Sequence, residues 1–155
     1  MYKIKIMKKV LVLAFVAISV GAGLKAQTVE ADKLLGTWTV EDGSARVKIE
    51  KIGSKYFGKT VWMKEPNDEQ GKPKVDVNNP DASLRNQPRI GLRIMKDFQY
   101  EGKGIYKGGN IYDPKKGKTY CGKITMKDDD HLDLRGSICN FGMLGRTSSW
   151  TRFKE

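Results

Sequence analysis

The residues of this chain best suited to chemistry are arginines and tyrosines that could hold a ligand. With two polar loop residues they form a candidate ligand-binding set: Asn79, Asp81, Arg85, Arg89, Tyr112, Tyr120, Arg135 and Arg146. An arginine guanidinium group donates paired hydrogen bonds to a carboxylate or a phosphate, and apolar side chains line most of a small-molecule site. The set therefore predicts binding of a small amphipathic or anionic molecule. An ordinary turn at residues 78–81 with surface arginines explains the loop residues equally well.

Catalytic and metal-binding residues are scarce by comparison. His131 is the only histidine, and it follows three aspartates in a turn where a surface role fits better than general-base catalysis. No Gly-x-Ser-x-Gly nucleophile motif occurs, and two cysteines with one histidine are too few for a zinc site. The sequence predicts no metal site and no cofactor, and it does not favour an enzyme.

The two cysteines, Cys121 and Cys139, lie on predicted strands that flank the turn at residues 128–131. If Met126 lies opposite Leu134, the numbers of paired residues sum to 260, which also places the two cysteines opposite each other. A disulfide at this position would stabilise the fold by about 3 kcal/mol in the chain-entropy model. Two free thiols are the alternative, because cross-strand disulfide geometry is demanding.

Residues 1–26 have the composition of a secretory signal peptide. Four lysines precede an uncharged apolar run over residues 10–24, and a small residue, Ala26, precedes Gln27. An uncleaved membrane anchor is the alternative, although the run is shorter than the roughly 20 residues that span a bilayer. The five lysines of this segment account for five of the eleven formal positive charges, leaving +6 on residues 27–155. We expect a periplasmic or secreted protein that meets a membrane only through its signal peptide and does not bind nucleic acid.

The remaining residues, 27–155, show the alternating pattern of an all-β domain. After a short helical turn at residues 28–35, eight strands are predicted at residues 37–41, 45–52, 56–63, 90–95, 104–112, 118–127, 132–139 and 146–153. Hairpin connections between most of them favour an eight-stranded antiparallel up-and-down β-barrel. One long loop, at residues 64–89, interrupts the series and is rich in proline, asparagine and charge. Loops of this length in a compact domain are usually functional or disordered.

The first and last predicted strands carry residues that suit barrel closure. Gly36 directly precedes the first strand and Trp38 lies on it, while Trp150 and Arg152 lie on the last. In a closed barrel these strands are neighbours, so Arg152 would stack on Trp38 and contribute roughly 0.5–2 kcal/mol. We therefore predict that these four residues seal one end, and that a binding site lies toward the other end.

Several motifs spread along the chain resemble a known family. They are Gly36-x-Trp38, Asn79-Pro80-Asp81 with Leu84-Arg85, the run from Gly108 to Tyr120, Leu134-Arg135-Gly136, Leu144-Gly145-Arg146 and Trp150-Thr151-Arg152. Together they resemble the domain of unknown function 2147 family of exported bacterial proteins. The resemblance implies a lipocalin-like β-barrel and no established activity. Neither cysteine belongs to the family pattern.

Two functions of different class remain open. In the first, the barrel holds a small amphipathic or anionic ligand within the cell envelope. In the second, side chains fill the barrel, and the protein is an interaction module that presents its long loop to an envelope protein. An interior plugged by Trp62, Tyr112 and Phe141 would exclude the first function.

Overall fold

The computed structural model describes residues 30–154, which contain eight antiparallel strands closed into a barrel. A 3-10 turn, Asp32–Leu34, precedes the first strand, and a second, Ala82–Leu84, lies in the long connection. The strands are β1 Gly36–Thr39, β2 Ala45–Ile52, β3 Lys55–Met63, β4 Arg93–Gly102, β5 Ile105–Asp113, β6 Lys118–Met126, β7 His131–Ile138 and β8 Phe141–Arg152. Among these residues no helix is long and apolar enough to cross a bilayer. Residues 1–26, predicted as a signal peptide, lie outside the described part of the chain.

Each strand pairs with the next one, and β1 pairs with β8 through Trp38 opposite Arg152 and Thr39 opposite Thr151. The predicted lipocalin-like, up-and-down barrel is confirmed. The prediction for the fourth strand was wrong: it begins at Arg93 rather than residue 90 and extends to Gly102, so the long connection runs over residues 64–92. Asp97 takes a positive φ of 63° between the buried residues Met95 and Phe98. This irregularity breaks the two-residue alternation from which the strand was predicted.

Among the inward-facing aromatic side chains, Trp38, Tyr56, Phe98 and Tyr106 are at most 1% exposed and fill the barrel core. The Phe98 ring lies directly against two glycines of the neighbouring strands β5 and β6, since a Cβ atom on Gly109 or on Gly122 would collide with it. Interiors packed in this way leave no room for a ligand at that level.

The strand connections divide between two ends of the barrel. The end that we call sealed carries the start of β1, the end of β8 and the β2–β3, β4–β5 and β6–β7 turns. Here the Arg152 guanidinium carbon lies 4.3 Å from the centre of the Trp38 ring, and Arg152 donates hydrogen bonds to the carbonyls of Leu35 and Asp129 at 2.8 and 2.6 Å. A side chain on Gly36 would meet the guanidinium group, which explains the glycine. The open end carries the other four connections.

Cys121 and Cys139 form the predicted disulfide, with their Cα atoms 5.1 Å apart. The predicted register was wrong by two residues, because Met126 pairs with Leu132 and Cys121 pairs with Ser137. Cys139 lies one residue beyond the end of β7, where the β7–β8 turn brings it back toward β6. The bond therefore ties this turn, at the open end, to the neighbouring strand.

Candidate functional site

A buried carboxylate, Asp76, organises the long connection at the open end. Its side chain is fully buried. It accepts hydrogen bonds from the Tyr112 hydroxyl at 2.9 Å and from the Asn79 side-chain amide at 2.8 Å. A buried carboxylate requires such partners. Asp76 thereby fastens residues 76–79 to the outside of β5.

Tyr112 contributes the phenolic hydrogen of this contact. Burial, the hydrogen bond to Asp76 and the negative charge of Asp76 together raise the pKa of Tyr112 to about 12. Its hydroxyl therefore remains a donor over the whole neutral range. Because Tyr112 alternates with the inward-facing Ile111, its ring lies on the outer face of the barrel and does not plug the interior.

The arginines and the aspartate predicted in the long loop make hydrogen bonds within the connection, and Arg89 also donates from Nη2 to the Pro114 carbonyl of the β5–β6 turn at 3.4 Å. The Arg85 Nε donates to the Asn79 carbonyl at 2.8 Å, and the Arg89 Nε donates to the Val75 carbonyl at 3.1 Å. Asp81 caps the Ala82–Leu84 turn by accepting from the Ser83 hydroxyl and amide at 2.7 and 2.9 Å, and these hydrogen bonds lower the pKa of Asp81. These groups order the connection and do not converge on a space for a ligand.

The connection packs closely against the β5–β6 turn. The Asn78 side chain donates to the Lys115 carbonyl at 2.8 Å, and a Cβ atom on Gly117 would collide with the Asn78 carbonyl oxygen. Gly117 also has a positive φ of 64°. The glycine thus permits both the turn and the close approach.

Above Phe98, toward the open end, the inner face of the barrel is partly accessible. Ile111, Tyr120 and Gly136 are partly exposed there, and a Cβ atom on Gly136 would lie 3.5 Å from both Ile111 Cγ2 and Tyr120 Cβ. Arg146 pairs with Gly136 and shares a strand face with the buried Trp150. We call these four residues, Ile111, Tyr120, Gly136 and Arg146, the bowl.

Arg146 gives the bowl its cationic rim. Its side chain is 88% exposed, and its Nη2 atom lies 3.8 Å from a carboxylate oxygen of Glu41. Such an exposed pair contributes little stability. The guanidinium group therefore keeps donors that an incoming anion can reach.

Arg135 does not join the bowl. Its neighbours along the strand, Leu134 and Gly136, face inward, so Arg135 lies on the outer face. Its Nη2 atom donates to the Met143 carbonyl at 3.2 Å. The predicted ligand-binding set thus divides into Tyr120 and Arg146 in the bowl, Arg135 outside, and five residues that order the long connection.

The three aromatic residues whose packing inside the barrel would have excluded a ligand do not fill the interior. Trp62 is 37% exposed and stacks on Arg46, whose guanidinium carbon lies 4.3 Å from the Trp62 ring centre. Phe141 is 67% exposed in the β7–β8 hairpin. The register shift beside Arg46 turns Trp62 to the outer face. Phe98, which the sequence prediction did not consider, fills the interior instead.

Sequence reasoning also missed Asp76, Ile111 and Gly136. The two valines that flank Asp76 in an otherwise polar loop were a signal that this segment is packed. Ile111 was harder to find, because Gly108 has a positive φ of 73° and the register of β5 shifts between Tyr106 and Gly109. Because of this bulge, the inward-facing positions of β5 change from even-numbered (Tyr106) to odd-numbered (Ile111).

Other parts of the described structure offer weaker candidates. His131 lies at the sealed end, with its Nδ1 atom 2.8 Å from Asp128 Oδ1. The Asp130 amide and His131 both bond to Asp128 and lower its pKa. A depression of about 600 Å³ lies on the outside of the long connection and is lined by Glu65, Asn67, Asp68, Glu69, Gln70 and Lys74. No cluster of His, Cys, Asp and Glu suited to a metal ion occurs within residues 30–154.

Comparisons with known proteins agree with this architecture. The family profile described as "Uncharacterized protein conserved in bacteria (DUF2147)" matches residues 36–152. Among solved structures, the barrel is similar to protein HP1028 from Helicobacter pylori, described as belonging to the lipocalin family. The two chains are 26% identical, with a TM-score of 0.68 over 79% of this chain and 84% of the other. No match was found among curated proteins.

Proposed function

Since this chain belongs to the DUF2147 family of uncharacterised bacterial proteins and has a lipocalin-like barrel, we propose that it binds a small amphipathic anion in the bowl. The apolar part of the ligand packs on Ile111 and Tyr120. The anionic group, a carboxylate or a phosphate, meets Arg146. Small-molecule sites commonly combine such an apolar lining with a few polar groups that fix orientation.

The main support is the change in packing along the barrel axis. Phe98 is fully buried, whereas Ile111, Tyr120 and Gly136, nearer the open end, are partly exposed. The absence of a side chain on Gly136 keeps the space beside Ile111 and Tyr120 open. A shallow site of this kind suits one short acyl chain or aromatic ring rather than a large ligand.

A fluorescent fatty acid, 11-(dansylamino)undecanoic acid, tests the site. We expect saturable fluorescence enhancement on titration into the protein. Arg146→Gln should weaken binding by about tenfold, the usual magnitude for a charge-assisted hydrogen bond, and Gly136→Leu should abolish it by filling the bowl. Arg93→Gln is the matched control, because Arg93 stacks on Phe57 on the outer face. Equal affinity in all four proteins would refute the proposal.

The second candidate is the interaction module that uses the barrel as a rigid support. The specific observation in its favour is the packing of Phe98 against Gly109 and Gly122, which leaves the middle of the barrel without a cavity. Native mass spectrometry of protein purified from its own cells separates the two functions. A bound small molecule supports the bowl, and a bound protein with an empty bowl supports the module.

We further propose that residues 1–26 are removed on export and that residues 27–155 form one domain in the periplasm or outside the cell. The Cys121–Cys139 disulfide supports this compartment, because such bonds persist in oxidising environments. The intact mass of the protein from a periplasmic extract tests it. A mature chain that begins at Gln27 is expected, and a full-length cytoplasmic chain would contradict it.

A further inference from the structure

Large apolar side chains are concentrated on the β7–β8 hairpin at the open end. Within residues 138–144, four of them stand in solvent: Ile138 is 49%, Phe141 67%, Met143 94% and Leu144 65% exposed. We call these four residues the apolar tip. Contiguous exposed apolar groups of this kind usually mark an interaction surface.

Two links hold the apolar tip away from the barrel. The Cys121–Cys139 disulfide ties the turn to β6, and Arg135 donates to the Met143 carbonyl on the facing strand. The hairpin is therefore fixed in a conformation that exposes apolar residues. A fixed hairpin loses little conformational entropy when the tip is buried against another surface.

The surroundings of the apolar tip are basic. Residues 134–148 contain two arginines, Arg135 and Arg146, and no acidic residue. The neighbouring β6 contains Lys118 and Lys123 and again no acidic residue. Two carboxylates lie beside these cations: Glu41 is 3.8 Å from Arg146, and Asp113 pairs with Lys118 across β5 and β6. By contrast, residues 128–130 at the opposite, sealed end are three aspartates.

We propose that the apolar tip docks the protein on an anionic lipid bilayer. Apolar side chains that enter the headgroup region, with cations beside them at the phosphate level, are the features by which peripheral proteins bind such surfaces. A single hairpin also presents a narrow edge, unlike the patch of roughly 800 Å² that each partner buries in a standard protein interface. This differs from the sequence prediction that only the signal peptide meets a membrane, and it does not require that the bowl binds a ligand.

Sedimentation of the mature protein with lipid vesicles tests the docking. The vesicles contain phosphatidylcholine with phosphatidylglycerol, or phosphatidylcholine alone. We expect binding to the anionic vesicles, weakened by salt. The triple variant Phe141→Ser, Met143→Ser, Leu144→Ser should lower the partition coefficient at least about tenfold. The double variant Lys118→Gln, Lys123→Gln should weaken binding to the anionic vesicles alone.

Ile52→Ser is the matched control. Ile52 is also 52% exposed but lies at the end of β2, at the sealed end, so its substitution should leave vesicle binding unchanged. Circular dichroism and the mass after alkylation without reductant establish that each variant is folded and retains its disulfide. Equal binding by the triple variant and the parent would overturn the proposal, as would a parent that fails to bind anionic vesicles at low salt or that buries the tip in a dimer. Loss of fatty-acid binding by the bowl variants would not affect this result, since none of the residues substituted here lines the bowl.

Discussion

Two glycines that face each other across β6 and β7 should respond in opposite ways to the same substitution. Gly122 and Gly136 are register partners on the inner face. A Cβ atom on Gly122 would collide with the tip of the Phe98 ring, whereas one on Gly136 would make ordinary contacts at 3.5 Å. Neither glycine has a positive φ. Backbone preference is thus similar at the two positions, and the difference comes from packing.

We expect Gly122→Ala to destabilise the fold by about 1–3 kcal/mol, the usual cost of overpacking. Gly136→Ala should stabilise it by about 0.5–1 kcal/mol, because alanine is less costly than glycine to order in a strand. The two melting temperatures should then differ by roughly 5–15 °C. Urea unfolding followed by tryptophan fluorescence and thermal unfolding followed by circular dichroism measure both quantities.

A double variant separates packing from other causes. Phe98→Leu shortens the side chain that Gly122→Ala meets, so the double variant should be less destabilised than the sum of the two single variants. Strict additivity, or equal stability of Gly122→Ala and Gly136→Ala, would refute the packing of Phe98 against this wall and would place a cavity in the middle of the barrel.

Three further predictions concern contacts away from this wall. Tyr112→Phe should lower the free energy of unfolding, measured in urea, by about 1–3 kcal/mol, because it removes a hydrogen-bond partner of the buried Asp76. The folded-state pKa of Tyr112 is raised from 10.0 to about 12, so its contribution to the free energy of unfolding should be fully present below pH 10 and lost as pH rises through about 12. Phenolate absorbance near pH 12 should therefore be larger in the parent than in the Tyr112→Phe variant. A Tyr112 that ionises near pH 10 would contradict the contact with Asp76. Replacing both Cys121 and Cys139 by serine should lower the free energy of unfolding by about 3 kcal/mol, and reduction of the parent should reproduce the loss. Arg152→Ala should lower the free energy of unfolding by about 1–3 kcal/mol, because two hydrogen bonds and the contact with the Trp38 ring are lost. A change below about 0.5 kcal/mol, the size expected for one exposed ion pair, would show that the sealed end does not depend on Arg152.

The barrel and the residues at its sealed end were predictable because they depend on local patterns. Alternating apolar residues identify strands, and Trp38 and Arg152 lie on strands that must be neighbours if the sheet closes. The structure adds the carbonyls of Leu35 and Asp129 as acceptors for Arg152. The sequence alone does not show which backbone carbonyls will accept a hydrogen bond from a side chain.

The positions of the candidate ligand-binding residues were harder to predict, for the same reason. Arg85 and Arg89 have the residue type of an anion site, but their Nε atoms bond to backbone carbonyls of the connection. Bulges at Asp97 and Gly108 change which residues of β4 and β5 point into the barrel. Counting every second residue along these strands therefore does not identify Phe98 and Ile111 as interior residues. A bulge adds one residue to one strand of a pair, so its position becomes clear only when the pairing of the two strands is known.

Phe98 lies between the buried aromatic core and the more exposed residues of the bowl. Core residues such as Trp38 and Tyr106 are fully buried, whereas Ile111 and Tyr120 are partly exposed. If the bowl binds a ligand as proposed, substitutions at Ile111, Tyr120 or Arg146 should change which ligand it accepts with little effect on folding. Under the same proposal, family members with different residues in the bowl should bind different molecules on the same barrel.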